Sequence, residues 1–247
     1  MRGDSLRSGV TFVQAVVFDV DGTLYDAQRM RLALLPRLLI RSILHPGEAA
    51  TAIPVIRSYR RAHERLRGRR REEIGEGLAE AQLCLAMSLS GRPDDVVRRV
   101  VRDWFEGSPL PAISAAVRPG LATSLARLRA AGIRTAVLSD YPPLGKLEAL
   151  GVGGAFDCVA WAQQETIGVL KPDPAGLRDV LRRLGVAPEA AVYVGDRPEV
   201  DGVLAASVGC RGALIARRVT GDGTFPSFTH LEALTEWILA GGRVPTA

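Results

Sequence analysis

Four short groups of polar residues in this chain have the types and spacing that chemistry at a shared site requires. The first is Asp19-Val20-Asp21-Gly22-Thr23, in which two carboxylates stand two residues apart. The others are Ser139, the triplet Lys171-Pro172-Asp173, and Gly195-Asp196 with Asp201 five residues further on. Paired carboxylates can hold a cation and divide nucleophilic and acid–base work. The serine adds a hydroxyl and a backbone N–H, and the lysine adds a positive charge.

Each group lies at or just beyond the end of a predicted strand. Residues 15–18, 135–138 and 191–194 are short apolar runs, typical of strands buried on both faces of a parallel sheet. Taken singly, the groups have ordinary explanations as turns, helix caps or surface positions. Ligands of open parallel sheets bind beyond the carboxyl ends of the strands, so the conjunction of all four groups there indicates a site.

Strands and helices alternate through the rest of this part of the chain. Further strands are predicted near 158–160 and 212–215. Helical spacing of apolar residues, with proline or glycine at several ends, predicts helices at 121–131, 146–150, 174–184, 200–207 and 231–239. Alternation with short connections predicts an α/β fold, a doubly wound parallel sheet with a Rossmann-like core.

Residues 26–118 break this rhythm and contain no convincing strand. Helical patterns run through 55–66, 74–85 and 96–104, and a less regular apolar stretch, 32–44, is interrupted by Pro36. Loops beyond about 15 residues rarely lack structure in compact proteins, so an inserted α-helical cap domain is predicted. The expected division is a core of 12–25 and 119–240, a cap of 26–118, and flexible termini at 1–11 and 241–247.

Composition excludes several classes of protein. The 247 residues are 47% hydrophobic and 24% charged, unlike a disordered chain, a collagen-like repeat or a disulfide scaffold. The widely spaced Cys84, Cys158 and Cys210 predict buried, reduced thiols. The chain has neither a secretory signal nor about 18 consecutive apolar residues, so a cytoplasmic protein without a membrane partner is expected. For the apolar stretch 30–44, packing within the cap is favoured over a membrane surface.

The net charge of +5 is unevenly distributed. Only Lys146 and Lys171 are lysines, against 30 arginines, and residues 26–118 carry +6 while the remainder carries −1. Eight arginines fall within 57–71, where an apolar stripe and few interleaved aromatics favour a solvated helix face over a nucleic-acid patch. No nucleic-acid partner is therefore expected, although one or two of these arginines could meet an anionic substrate. The three histidines are predicted to be isolated from the site.

In its ordered motifs the sequence resembles the haloacid dehalogenase-like superfamily of aspartate-nucleophile phosphohydrolases. The resemblance covers roughly 12–25 and 119–240 and rests on DVDGT, Ser139, KPD and GDRPEVD. It implies that Asp19 is the nucleophile that forms an aspartyl-phosphate. Asp21 would protonate the leaving oxygen and then activate water, with crowding by like charges favouring its proton. Ser139 and Lys171 would hold phosphate oxygens.

The resemblance also implies a Mg²⁺ site. Asp196 would bind the ion together with the Asp19 carboxylate and the Asp21 backbone carbonyl, an all-oxygen set that suits Mg²⁺. Asp201 would support the metal site or orient Lys171. Supporting positions are Gly22, Thr23 and Asp140, and Asp140 departs from the small or amide residue that the family often has after its serine or threonine.

The resemblance implies a Mg²⁺-dependent hydrolase of a small anionic phosphorylated metabolite, monomeric or homodimeric. The dehalogenases of the group lack the aspartate equivalent to Asp21, because a halide needs no proton, so its presence favours phosphate chemistry. A phosphomutase or phosphotransferase, or a non-catalytic phosphate-binding regulator, remains an alternative on the same scaffold. A phosphonate-cleaving relative would want a cap lysine, and residues 26–118 contain none.

Overall fold

A computed structural model describes residues 12–75, 77–217 and 224–242 and contains one six-stranded sheet. The strands are β1 (Ala15–Phe18), β2 (Arg134–Ser139), β3 (Cys158–Trp161), β4 (Ala191–Gly195), β5 (Arg211–Ile215) and β6 (Ser227–Phe228). They lie in the order β3-β2-β1-β4-β5-β6, and each neighbouring pair is parallel. The predicted doubly wound parallel sheet is confirmed. Two-residue β6 was not predicted, because so short a segment has no readable periodicity.

Helices cover both faces of the sheet, which explains the continuous apolar strands. On one face Val16 and Phe18 of β1 pack in a cluster with Leu125, and on the other Ala15 and Val17 pack in a cluster with Leu177. Helices α7 (Leu121–Ala130), α8 (Leu144–Ala149) and α11 (Leu231–Leu239) contribute to the first cluster, and α9 (Ala175–Leu184) and α10 (Val203–Val208) to the second. A π-helical turn, Pro198–Gly202, precedes α10, where a single helix was predicted.

The segment between β1 and α7 is helical, as predicted. It contains α1 (Ala27–Leu44), α2 (Pro46–Leu66), α3 (Arg71–Ile74), α4 (Leu78–Ser90), α5 (Asp94–Val100), a π-helical turn (Val101–Gly107) and α6 (Leu110–Ser114). Residues of α1, α2, α4, α5 and the π-helical turn share a hydrophobic cluster that includes Val55, Tyr59, Val97 and Trp104. The inserted helical cap therefore has a core of its own.

Two helix boundaries in the cap differ from the prediction. The pattern 74–85 is divided between α3 and α4, because Gly75 and Gly77 adopt positive φ values of 79° and 117° between them. Pro36, in contrast, does not interrupt the first helix but lies inside α1. Leu32, whose carbonyl loses its helical partner to Pro36, is exposed, so water can solvate that carbonyl.

The prediction that 30–44 packs within the cap is wrong for most of its apolar side chains. No residue of α1 is buried, although Met30 and Leu38 pack partly against neighbouring clusters. Six large apolar residues are between 58% and 69% exposed: Leu32, Leu35, Leu39, Ile40, Ile43 and Leu44. The reason is that the apolar residues surround much of the helix, while its neighbours cover only one side. No helix within the described ranges is long and apolar enough to cross a membrane.

The predicted burial of the cysteines holds for only one of them. Cys210 is buried, Cys158 is half-buried and Cys84 is exposed, and all three are free thiols. Cys84 lies on the outer side of α4, away from the buried Gln82 and Ala86 of the same helix.

The chain enters and leaves the cap at adjacent points beside the first motif. Tyr25 and Val117 form an isolated antiparallel bridge, and the Asp26 N–H donates to the Ala116 carbonyl. The Asp26 carboxylate caps α1 by accepting from the backbone N–H groups of Gln28 and Arg29. At the other end of the chain, Gly241 and Gly242 close α11 with backbone bonds. Of the termini predicted as flexible, 1–11 and 241–247, residues 1–11 and 243–247 lie outside the described residues.

Candidate active site

The sheet order brings three of the four polar groups together. Strand β1 lies between β2 and β4, so Asp19, Ser139 and Asp196 all lie at one edge, the carboxyl ends of neighbouring parallel strands. Lys171 reaches the same edge from the connection between β3 and α9. The convergence expected from the sequence is therefore present in the structure.

A buried ion-pair network forms the centre of this cluster. The Lys171 Nζ atom lies 2.5 Å from Asp19 Oδ1, 3.0 Å from Asp201 Oδ1 and 3.2 Å from the Tyr193 hydroxyl. Burial lowers the pKa of Lys171, but Asp19, Tyr193 and Asp201 outweigh it and raise that pKa well above its usual value. The ammonium group stays charged and offsets the negative charge of the carboxylates around it.

Two carboxylates of the cluster, Asp19 and Asp196, hold protons more tightly than ordinary aspartates. Burial raises the pKa of Asp19 to about 7 despite the opposing charge of Lys171, with Asp201, Asp196 and Asp21 adding to the rise. Burial and the charge of Asp201 raise the pKa of Asp196 to about 6. Several anions crowd a space that one buried lysine does not fully neutralise, which favours a further cation there.

Two glycines allow this crowding. A Cβ atom on Gly22, whose φ is +90°, would lie 2.0 Å from Asp196 Oδ2. A Cβ atom on Gly195 would lie 2.3 Å from the Asp201 Cβ atom. Any larger residue at either position would displace a carboxylate from the cluster.

The loop that follows Asp19 is fixed from both sides. The Thr23 hydroxyl, fully buried, donates to Asp19 Oδ2 at 3.1 Å. The Arg118 guanidinium donates to the backbone carbonyls of Gly22 and Thr23, at 2.8 and 2.9 Å. Sequence analysis did not single out Arg118, because nothing local distinguishes it from the other arginines. Arg118 is the last residue of the predicted cap, 26–118, and this position at the cap boundary is the one feature of the sequence that pointed to the loop after Asp19.

The surroundings of Asp21 differ from the expectation. Instead of like charges, its carboxylate meets the Lys146 Nζ atom, which lies 2.7 Å from Oδ1 and 2.6 Å from Oδ2, and the Tyr25 hydroxyl also donates to Oδ1. Burial raises the pKa of Asp21, but Lys146 and Tyr25 outweigh it and lower that pKa below the usual value. The prediction that crowding favours a proton on Asp21 is therefore wrong for this arrangement. Sequence analysis missed Lys146, although lysine is so rare in this chain that its presence was a signal.

Asp140 connects the cap to the site. Its Oδ1 atom accepts from the Lys171 backbone N–H at 3.0 Å, and its Oδ2 atom lies 3.4 Å from both His63 Nε2 and an Arg67 nitrogen. Arg67 also donates to the Lys171 carbonyl. Burial raises the pKa of Asp140, but His63 and Lys171 outweigh it and hold that pKa far below its usual range. The prediction that His63 is isolated from the motifs is wrong, because the last turn of α2 places His63 beside the Asp140 carboxylate.

The other arginines of 57–71 mostly follow the predicted solvated face. Arg71 reaches across to the Glu165 carbonyl, while Arg57, Arg61 and Arg65 are exposed. Of the predicted apolar stripe on α2, Val55, Tyr59 and His63 are buried, and Ile56 and Leu66 are half-buried.

Aromatic side chains close the seam between cap and sheet next to Ser139. The Ser139 side chain is fully buried, and its hydroxyl accepts from the Tyr141 N–H at 3.3 Å. The Tyr141 ring stacks on His63 at 4.7 Å and meets the edge of Phe105 at 5.0 Å. Phe105 thus lies where the cap meets the core, whereas Trp104 packs within the cap. These ring contacts pack the cap against the core beside Ser139.

The carboxylates fit a divalent cation. Oxygen atoms of Asp19, Asp196 and Asp201 lie within 4.8 Å of one another. Asp201 is already occupied, because its Oδ1 atom accepts from Lys171 and its Oδ2 atom accepts from the N–H groups of Asp196 and Arg197. The Asp196 carboxylate accepts no hydrogen bond from any other described residue. Asp19 and Asp196 therefore suit direct contact with a hard cation such as Mg²⁺, and Asp201 suits a supporting position.

Similar proteins fit this geometry. A family model of haloacid dehalogenase-like hydrolases matches residues 13–209. Phosphoglycolate phosphatase from Rhodospirillum rubrum is 31% identical over 237 residues, which cover 91% of this chain and 90% of that protein. Phosphoglycolate phosphatase from Pseudomonas putida is 27% identical over 215 residues, which cover 82% of this chain and 70% of that protein.

Solved structures share the fold. A 2-haloacid dehalogenase from Pseudomonas syringae pv. Tomato aligns with a TM-score of 0.63 at 23% identity, over 94% of this chain and 100% of that one. A phosphatase of the same superfamily from Thermococcus onnurineus aligns with a TM-score of 0.59 at 24% identity, with the same coverage. From the family match and the phosphatase relatives together, the chain belongs to the haloacid dehalogenase-like hydrolase family, as an enzyme of its phosphatase branch.

Proposed function

We propose that this enzyme hydrolyses a small phosphomonoester with Mg²⁺ through an aspartyl-phosphate on Asp19. The observation that carries the proposal is the buried Asp19 carboxylate, held by Lys171 at 2.5 Å and crowded by Asp196 and Asp201. A carboxylate that attacks a phosphate brings two anions together, so the site must supply positive charge. Lys171 supplies part of it, and a divalent cation held by the Asp19 and Asp196 carboxylates would supply the rest.

The proposed reaction divides into two displacements at phosphorus. An Asp19 oxygen attacks the phosphorus atom, the bond to the ester oxygen breaks, and Asp21 gives that oxygen a proton. Asp21 then takes a proton from the water that attacks the phosphorus atom and releases Asp19 and inorganic phosphate. Ser139 and Lys171 hold the phosphate oxygens through both displacements. Covalent capture replaces one difficult displacement with two easier ones.

Mg²⁺, when bound, would neutralise charge on the phosphate and on the attacking carboxylate. Asp19 and Asp196 would hold it through side-chain oxygens and Asp21 through its backbone carbonyl, while Asp201 keeps Lys171 and the Asp196 N–H in place.

We assign the cap, 26–118, to covering the site and selecting the substrate, and the core, 12–25 and 119–240, to the chemistry. Arg67 and His63 bring the cap to Asp140, which also holds the backbone of Lys171. The charge of +6 on the cap attracts anionic substrates to the seam.

Phosphate release from a panel of phosphomonoesters tests the function. Because the two relatives described above are phosphoglycolate phosphatases, the panel starts with 2-phosphoglycolate and adds other small sugar and hydroxy-acid phosphates and p-nitrophenyl phosphate. We expect turnover with Mg²⁺ that a chelator abolishes and that added Mg²⁺ restores. Turnover of no member, or turnover unaffected by the chelator, would contradict the proposal.

The affinity for Mg²⁺ is expected to fall as the pH falls. In the metal-free protein the pKa of Asp19 is raised to about 7 and that of Asp196 to about 6, so at pH 6 the site holds protons that the cation must displace. We expect about ten-fold weaker binding per pH unit between 7 and 6, and little change above 8. Titration calorimetry in two buffers of different ionisation enthalpy measures both the affinity and the protons released. Equal affinity for Mg²⁺ at pH 6 and 8 would contradict this prediction. The control is Asp196→Asn, which lacks one of the proposed metal ligands.

A further inference from the structure

Both lysines of this chain lie at the proposed site, each in contact with one of the two aspartates that carry the proposed chemistry. Lys171 contacts Asp19, the proposed nucleophile, and Lys146 contacts Asp21, the proposed proton donor for the leaving oxygen. Every other basic residue apart from the histidines is arginine. Lysine differs from arginine in presenting a compact charge on a flexible stem, which can turn from one anion to another.

Lys146 lies where cap and core meet. It belongs to α8, which lies next to the cap helix α6, so that a Cβ atom on Gly145 would lie 3.7 Å from Leu110 Cδ1. The Lys146 side chain is 17% exposed, and the Asp21 side chain that it contacts is 38% exposed. The Lys171 and Asp19 side chains, in contrast, are each 6% exposed. The Lys146 pair therefore faces the open side of the site, where the part of a substrate beyond the phosphate must lie.

The contact between Lys146 and Asp21 is incompatible with the proposed role of Asp21 as the proton donor to the leaving oxygen. Lys146 occupies both carboxylate oxygens, and Tyr25 donates to one of them as well. A carboxyl group that gives a proton to the leaving oxygen needs one oxygen free for that proton. Lys146 must therefore turn away during the reaction, and a partly buried ammonium group that leaves one anion needs another.

Resting on the proposed function, we infer that Lys146 forms a subsite for a carboxylate on the leaving group, one carbon from the ester oxygen. A group at that distance reaches the ammonium group while the ester oxygen contacts Asp21. Glu106 of the cap, which is exposed, is close enough to Lys146 for their charges to interact. Glu106 would instead favour a substrate with an ammonium group. Comparing a substrate that carries a carboxylate with one that carries an ammonium group therefore distinguishes a subsite formed by Lys146 from one formed by Glu106.

Three phosphomonoesters with the same two-carbon skeleton separate these possibilities: 2-phosphoglycolate, 2-hydroxyethyl phosphate and 2-aminoethyl phosphate. They carry a carboxylate, a hydroxyl and an ammonium group at one position. We expect wild type to prefer the carboxylate over the hydroxyl in kcat/KM, and the ammonium compound to be poorest. In Lys146→Met the preference for carboxylate over hydroxyl should fall about ten- to a hundred-fold, the size of one charge-assisted hydrogen bond. Lys146→Arg keeps the charge and should retain most of the preference.

Binding provides a second measurement that does not need turnover. Calorimetry in the Asp19→Asn background, with and without Lys146→Met, should show that Lys146→Met selectively weakens the affinity for 2-phosphoglycolate. Thermal denaturation checks the fold of each variant. Equal loss for all three compounds would mean that Lys146 acts only through Asp21, and a wild-type preference for the ammonium compound would assign the subsite to Glu106. Either result overturns the inference while leaving hydrolysis itself established. Failure of wild type to release phosphate even from p-nitrophenyl phosphate would instead contradict the proposed function.

Discussion

Replacing Asp19 with asparagine is expected to reduce phosphate release by at least about a thousand-fold, the scale of losing a covalent nucleophile. The amide has nearly the shape of the carboxylate, but its single oxygen accepts from either Lys171 or Thr23 and not from both, and it is not a nucleophile toward phosphorus. Single-turnover assays with the best substrate of the panel measure the effect. Acid quenching of wild type early in turnover should also trap phosphate on the protein, and the variant should trap none.

An exposed aspartate in the cap provides the matched control. Asp95 lies at the start of α5, away from the site, so Asp95→Asn makes the same chemical change without touching the mechanism. We expect it to retain full activity. Asp19→Asn should remain folded, because Lys171 keeps its contact with Asp201. Substantial residual turnover by folded Asp19→Asn would assign the nucleophile elsewhere.

Replacing Lys171 with methionine is expected to abolish activity and lower the free energy of unfolding by about 3 kcal/mol. The cost arises because Asp19 and Asp201 are left in a buried site without their shared cation. Urea denaturation of the metal-free protein at pH 8 measures it. The deficit should shrink at pH 5, because Asp19, with its pKa raised to about 7, already holds a proton there.

The other lysine of the chain is the control for this substitution. Lys146→Met breaks a pair whose aspartate is 38% exposed, so water can solvate the remaining carboxylate. We expect Lys146→Met to lower the free energy of unfolding by less than about 1 kcal/mol. The double substitution Lys171→Met with Asp201→Asn should recover part of the stability, because it removes one of the unpaired charges. If Lys171→Met were as stable as wild type, the buried network would not contribute as described.

The parts of the site that could be predicted are those that local pattern and chain order determine. Short apolar runs indicate buried parallel strands, and parallel strands place their carboxyl ends at one edge, so Asp19, Ser139 and Asp196 were expected at that edge. That they are neighbours there follows from the position of β1 between β2 and β4 in the structure. The helical nature of the cap followed in the same way from apolar spacing. Its helix ends were less predictable, because Gly75 and Gly77 divide a regular pattern that Pro36 does not.

Contacts between distant segments could be seen only in the tertiary structure. Lys146 meets Asp21 from 125 positions away, and Arg67 meets Asp140 from 73 positions away. Neither contact leaves a periodic trace in the sequence, since each depends on how segments far apart in the chain pack against one another. The same limit applies to α1, whose composition suggested a packed helix and whose apolar side is open to solvent.

By itself, then, the sequence determined the sheet, the helical insertion and the group of acidic residues with Lys171, because strand and helix periodicity and chain order are local properties. Only the tertiary structure decided which cation Asp21 meets, how the cap reaches the site and which helix face stays uncovered. Those features depend on the free energy of packing between segments far apart in the chain, which no single segment encodes.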